Sequence, residues 1–295
     1  MRSRSEFDLM CVVCIAQDLI DLLYFSFQVD RDNYEREWRL LLENPENGHT
    51  LARIAHLTSS HDGSIEIKPR LEQNEQVQHR SMWLWPSNSL NYIRERWTIF
   101  GMEKETHLSV AHPSVESLDQ LYLQAQVLWP IFNGVVYRWA VASNGMVTTV
   151  DSELKLASET HFSDVKWASI KGATRAIEKL QRSYNNDVSR LVDVVRQQIV
   201  FSSLDDLCNC LSIISSGSES RNLRMKNRFA LNFDADSMGG YRDVAVNLVI
   251  ETQETLLLGV SGHVCELQLL LQQFYACKSD DGHKRYVEYR NKRAE

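Results

Sequence analysis

Two short stretches hold the residues best placed to do chemistry: Gly240-Tyr-Arg-Asp-Val-Ala-Val-Asn247 and Cys265-Glu-Leu-Gln-Leu269. Both read as β-strands, in which alternate side chains share a face. Tyr241, Asp243 and Asn247 then share one face, and Val244, Val246, Leu248 and Ile250 the other. Glu266 and Gln268 share a face of the second strand. A third run, Arg224-Met-Lys226-Asn-Arg228, sets three cations side by side, which repel unless carboxylates or a polyanion lie opposite. Asp193 stands at the entrance to an apolar strand over 194–202. Two carboxylates at a sheet, Asp193 and Glu266, suit Mg²⁺, a hard cation that takes oxygen ligands and keeps part of its water. Tyr241 offers a π-face to a nucleobase. Lys171, Arg175 and the strand cations have the charge to neutralise phosphates. Each residue also has a plainer use. Asp193 is within reach of Arg190 or Arg196, Glu266 of Arg242 or Lys226, and Tyr241 suits a core.

The elements that must position these groups follow from periodicity. Pro113 and the capping-box form Ser117-Leu-Asp-Gln120 open a long helix to about Ala142, with Pro130 expected to kink or split it. A helix over 170–184 carries an apolar side and, on another side, Lys171, Arg175, Glu178 and Arg182. Then come a strand over 194–202, a helix over 203–214 and strands over 222–229, 241–251 and 263–271, the last two able to pair antiparallel. A helix ending near Lys278 follows, and a last short helix carries Tyr286 and Tyr289. This order predicts an α+β (α/β) fold: a mixed β-sheet core flanked by helices.

Residues 1–110 read as a separate, mostly helical N-terminal region, and 111–295 as the sheet domain. A helix opens near Asp30 and stops at Asn44-Pro-Glu-Asn-Gly48, while 57–80 read as polar and irregular. Met82-Trp-Leu-Trp-Pro86 reads as packing aromatics, and Asn88 as the cap of a helix to about Phe100. Met10 to Phe27 contains Asp18 and Asp21, which favours an amphipathic or core helix over a membrane span or signal peptide.

With 295 residues, 43% hydrophobic and 24% charged, the chain has an ordinary globular composition with room for two domains. Its net charge of −7 argues against a generic nucleic-acid binder, though a local basic surface for RNA remains compatible. The six Cys lack zinc-site spacing, and Cys11-x-x-Cys14 reads as a buried reduced pair. That predicts a reducing, cytoplasmic setting.

In chain order these residues resemble the RelA/SpoT nucleotidyltransferase domain, the synthetase fold of (p)ppGpp enzymes, over about residues 110–292. Lys171-Gly-Ala-Thr-Arg175-Ala-Ile-Glu-Lys179 is similar to the family's K-x-x-x-S-I-x-x-K helix, with Arg175 at the serine position and Ala176 at the isoleucine. Asp193-Val-Val-Arg196-Gln-Gln198 resembles D-I-x-G-x-R, with Arg196 for glycine and Gln198 for arginine. The basic strand follows. Gly240-Tyr-Arg-Asp-Val-Ala245 resembles G-Y-R-S-L-H, and Glu266-Leu-Gln-Leu-Leu-Leu271 resembles E-x-Q-I-R-T without its arginine. Gly282-His-Lys-Arg-Tyr286 is similar to G-H-x-x-Y.

The resemblance implies that Asp193 and Glu266 hold Mg²⁺, and that Glu266 also serves the acceptor hydroxyl. It implies that Tyr241 stacks on an acceptor guanine and that Lys171 and the basic strand bind ATP phosphates. Arg175, Arg242, Asn247 and Gln268 complete the expected nucleotide-binding set. The implied reaction is pyrophosphate transfer from ATP to the 3′-hydroxyl of GDP, GTP or another acceptor. The departures at Asp243, Ala245 and Leu270 also suit an alternative: a catalytically degenerate nucleotide- or RNA-binding module on the same fold.

Overall fold

The computed structural model describes residues 28–61 and 115–278. The expectations for Met10–Phe27, the 82–100 aromatic and helical segment, and Tyr286 with its helix lie outside the described residues.

The N-terminal segment folds as two helices, α1 over 28–43 and α2, Glu46–Ser59. Tyr34, Trp38 and Leu41 recur at helical spacing along α1 and are buried, as are Leu51 and Ile54 of α2. The expected stop at 44–48 is shorter than the sequence suggests. Only residues 44 and 45 leave the helix, and Pro45, at φ −64°, caps α2. Proline at the very start of a helix loses no hydrogen bond, so the same residue that ends α1 opens α2.

Helix α3, Leu118–Ala142, begins as its capping sequence requires, with Ser117 Oγ accepting from Gln120 N at 3.2 Å. It stays one helix through Pro130 rather than splitting. Leu128 and Phe132, on either side of the proline, are both fully buried, so one continuous apolar stripe outweighs the lost backbone bond. Strands β1, Met146–Thr148, and β2, Leu154–Leu156, follow. Next come α4, Ala173–Ser183; β3, Val195–Phe201; α5, Leu204–Ser216; and β4, Ser220–Asn227. The chain continues with β5, Val244–Ile250; α6, Gln253–Leu257; β6, Val264–Leu271; and α7, Gln272–Cys277.

The six strands form one mixed sheet in the order β2-β1-β3-β6-β5-β4. Within it β3 and β6 run parallel; every other pair is antiparallel, including the expected β5–β6 pair. The architecture is therefore the α+β mixed sheet with flanking helices that the element order predicts. One face of the sheet is apolar: Val195, Ile199, Cys265, Leu267, Leu269, Val244, Val246, Leu248 and Met225 join the buried core with Phe132 and Trp139 of α3 and Leu207 and Leu211 of α5. Gln197 is the polar exception on that face. It donates to Asn133 Oδ1 at 2.7 Å and exchanges bonds with the backbone of Ala168, so its burial is satisfied.

Tyr34, Trp38, Leu41, Leu51 and Ile54 belong to the same core as the sheet. Tyr34 stacks on Phe274 of α7 at 6.2 Å, and Trp38 lies under the Arg242 guanidinium at 4.0 Å. Gly240 makes this docking possible. Its φ is +80°, and a Cβ there would stand 2.7 Å from Tyr34 Cβ. Arg242 is 5% exposed and donates to the Arg228 carbonyl at 2.9 Å. Arg242→Ala is expected to lower stability by about 1–2 kcal/mol, read as a shifted urea midpoint, because it removes both the cation–π contact and the packed stem. An unchanged midpoint would show that α1 does not depend on this contact.

Candidate functional site

The second face of the sheet carries the charge. Strand register sets Arg196, Glu266, Asn247 and Arg224 in one row across β3, β6, β5 and β4. Gln198, Gln268, Ala245 and Lys226 form the next row. The basic residues of β4 reach this face because of a bulge. The register shifts between Asn222 and Arg224, so Asn222 pairs with Leu248 of the apolar face and Arg224 with Asn247 of the polar one. One extra residue inverts the parity of the strand beyond it.

Asp243 lies just ahead of β5 and is completely buried. It accepts from Arg228 Nη1, from Tyr241 Oη at 2.8 Å and from Gln268 Nε2 at 3.3 Å. The carboxylate least suited to a phosphate site is thus neutralised and hydrogen-bonded within the fold. The consequence is that Arg228 is committed to Asp243. Tyr241 is half-buried, with the Tyr34 ring edge-on at 6.1 Å and the Arg228 guanidinium 6.0 Å from its centroid. Arg224 differs from Arg228. Two of its nitrogens donate to Asn247 Oδ1, at 3.1 and 2.7 Å, and a neutral amide leaves the guanidinium charge uncancelled.

Asp193 sits two residues upstream of β3, between α4 and the sheet. Its Oδ2 accepts from Lys171 Nζ at 2.7 Å and Lys179 Nζ at 3.0 Å. Its Oδ1 is buried and accepts no hydrogen bond among the described residues. Neither Arg190 nor Arg196, the partners the sequence suggests, takes that place, because Lys171 is held next to Asp193 by its backbone. Lys171 N donates to the Val194 carbonyl at 3.0 Å, and the Lys171 carbonyl accepts from Tyr122 Oη at 2.7 Å. Lys179 reaches the same carboxylate from two turns along α4. The sequence-based site omits Lys179, although its eight-residue spacing from Lys171 in the basic motif marks it. Glu266 faces Arg196 at 4.0 Å rather than Arg242 or Lys226. Its side chain is 17% exposed.

The charges on this face act on one another. Burial pushes the Glu266 carboxyl up; Arg196 opposes the shift, and Asp193 and Asp243 add to it. Burial would also raise Asp193, but Lys179 and Lys171 outweigh it and hold that carboxyl below its ordinary value. Burial depresses the Lys226 ammonium, and its neighbours Arg224 and Arg228 depress it further. Lys171 is lowered by burial despite Asp193, with Lys179 and Arg196 nearby. Lys179 carries the same burial penalty, but Asp193 and the Tyr184 side chain raise it overall.

These shifts have opposite consequences for acid stability. Asp193 is depressed, so its contribution is present above the ordinary aspartate value and is lost as pH falls through its folded value. Glu266 is raised, so its contribution is full below the ordinary glutamate value and is lost as pH rises through its folded value. A ¹³C-carboxyl NMR titration is expected to place Glu266 above and Asp193 below free carboxylates. The reverse order would contradict the assignment of Lys171 and Lys179 to Asp193.

The expected site residues therefore separate. Asp193, Lys171, Glu266, Asn247, Gln268, Arg224 and Lys226 belong to the polar face or its edge. Arg228 and Tyr241 border it through Asp243. Arg242 instead turns to Trp38 and Phe233, and Arg175 stands exposed on α4. Among the described residues no three His, Cys, Asp or Glu side chains cluster as a self-sufficient metal cage. The donor chemistry does fit Mg²⁺, which takes one or two carboxylates and completes its shell from phosphates and water: Asp193 has an unpartnered buried oxygen, and the Glu266 carboxyl feels the Asp193 charge.

No family model matches the chain, and no curated protein matches it. Solved structures do. The chain is similar to small alarmone synthetase 1 of Bacillus subtilis bound to its product pppGpp, at 13% identity and a TM-score of 0.41, over 58% of this chain and 80% of that one. It is similar to a GTP pyrophosphokinase family protein from Streptococcus pneumoniae, at 14% identity and a TM-score of 0.36, over 59% and 84% of the two chains. It is also similar to the Type VI effector Tas1 in the complex with its immunity protein, at 20% identity and a TM-score of 0.37, over 59% and 75%.

Proposed function

We propose that this protein is a Mg²⁺-dependent nucleotidyltransferase that moves pyrophosphate from ATP to the 3′-hydroxyl of a nucleotide such as GDP or GTP. The observation that carries the reading is the polar sheet face. Asp193, with its unpartnered oxygen, and Glu266 stand among Lys171, Lys179, Arg196, Arg224 and Lys226 in a chain whose net charge is −7. A concentrated positive face with a carboxylate pair within it suits a polyphosphate and its cation. The motif resemblance supplies the reaction class.

In this reading Asp193 and Glu266 hold Mg²⁺, which neutralises charge on the transferring group. Lys171, Lys179, Arg224 and Lys226 bind phosphates, Asn247 positions Arg224, and Gln268 supports Asp243. Tyr241 takes the acceptor base, and Glu266 orients the acceptor hydroxyl. Positioning and charge neutralisation supply the catalysis. The working unit is the domain proposed over 111–295, together with residues 28–61, which share its core. The described cysteines are all free, and we place the protein in a reducing cytoplasm. Among the described residues, no helix is long and apolar enough to cross a membrane.

The deciding experiment is AMP release from ATP with GDP or GTP and Mg²⁺, followed by chromatography. A second reading, a nucleotide- or RNA-binding module without turnover, is favoured by one observation: Arg228 is neutralised by Asp243 instead of facing a ligand. Calorimetric binding of nucleotide or RNA without AMP release would select it.

A further inference from the structure

The lysine pair at Asp193 bears on how this same site is loaded, and the inference rests on the functional reading above. Both ammoniums share one carboxylate oxygen, Lys171 Nζ at 2.7 Å and Lys179 Nζ at 3.0 Å. The Asp193 side chain is 8% exposed, while those of Lys171 and Lys179 are 20% and 26% exposed. The carboxylate is enclosed, and the cations that enclose it reach solvent. Among the described residues, Arg224 on β4 gives its hydrogen bonds to the neutral Asn247 amide, and Lys226 feels the Glu266 charge without a carboxylate within 4.0 Å, so both cations can receive an arriving anion.

We propose that Lys171 and Lys179 lock Asp193 in the ligand-free protein, and that a polyphosphate chain opens the lock. A divalent cation approaching Asp193 alone meets two ammoniums within contact distance of the carboxylate, and their repulsion opposes its entry. A phosphate chain reaching the cations of β4 offers Lys171 and Lys179 a second acceptor. Flexible lysine stems can turn to it without backbone movement. Asp193 is then released to the cation. Cation and polyphosphate are thereby coupled, and the coupling is reciprocal: Asp193 competes with the phosphate chain for the same two ammoniums.

The coupling is tested without turnover and with each ligand alone. Mn²⁺ binding, read by electron paramagnetic resonance with no phosphate present, is expected to tighten about tenfold in Lys179→Gln. Lys226→Gln removes a neighbouring cation that does not touch Asp193, and is expected to change Mn²⁺ affinity by less than about threefold. Tripolyphosphate binding in EDTA, read by calorimetry, is expected to tighten about tenfold in Asp193→Asn, because both lysines are freed. A Lys179→Gln effect no larger than that of Lys226→Gln overturns the lock, as does a folded Asp193→Asn with unchanged or weaker tripolyphosphate affinity. If thermal melting shows that Asp193→Asn does not fold, the Mn²⁺ comparison decides alone. Failure of the wild-type protein to bind Mn²⁺ and ATP together overturns the functional reading itself. Binding of that pair with an unresponsive Lys179→Gln overturns only the lock.

Discussion

Replacing Asp243 with alanine is expected to destabilise the protein by about 3–5 kcal/mol, the cost of stranding one partner of a buried ion pair. Asp243 is fully buried and Arg228 is 15% exposed, so water replaces little of what the guanidinium loses. The same change leaves the Tyr241 hydroxyl and the Gln268 amide without their acceptor. Because Tyr241 packs on Tyr34, the loss should spread to the docking of α1. Urea unfolding measures the effect. Removing both charges with Asp243→Ala and Arg228→Met should recover part of the loss, since an uncompensated charge is the main penalty. A cost below about 1 kcal/mol would put this pair in the class of exposed salt bridges and contradict its buried placement.

Glu266→Gln should separate activity from stability in the opposite way. AMP release is expected to fall by about 10²–10³, the usual scale for losing one charged group aimed at the reacting centre. Stability should hold or rise, because burial already disfavours the ionised carboxyl that glutamine replaces. Steady-state AMP release and a thermal melt of the same preparation read both. Full activity in Glu266→Gln would remove Glu266 from the chemistry. A large loss of stability would instead show that its carboxylate supports the fold. Asp193→Asn is the poorer probe of chemistry, since it also unpairs Lys171 and Lys179.

Much of the fold can be read from local patterns. The cap at Ser117, the stripe of α3 and the alternation of β5 are short-range signals, and each element stands within a few residues of its expected place. The misses have physical causes. Tyr241 to Asp243 alternate like the strand they precede, yet the strand begins at Val244, after the turn that ends at Gly240. Strands β1 and β2 are three residues each, too short for a period to emerge. Helix α2 begins inside a segment whose Pro, Asn and Gly read as a turn in isolation.

The sequence by itself determined which residue types are available: two carboxylates, a basic helix, a basic strand and the aromatic Tyr241, in an order that resembles a nucleotidyltransferase. Strand parity also determined that Arg224, Lys226 and Arg228 lie side by side. Which face they occupy was decided only in the sheet, by the bulge before Arg224. Tertiary structure likewise decided that Asp243 takes Arg228, that Arg242 serves α1, and that Lys179 joins Lys171 on Asp193. The physical reason is common to all of these. Periodicity sets the direction in which a side chain leaves its own strand or helix, whereas its partner is set by register and packing between segments far apart in the chain.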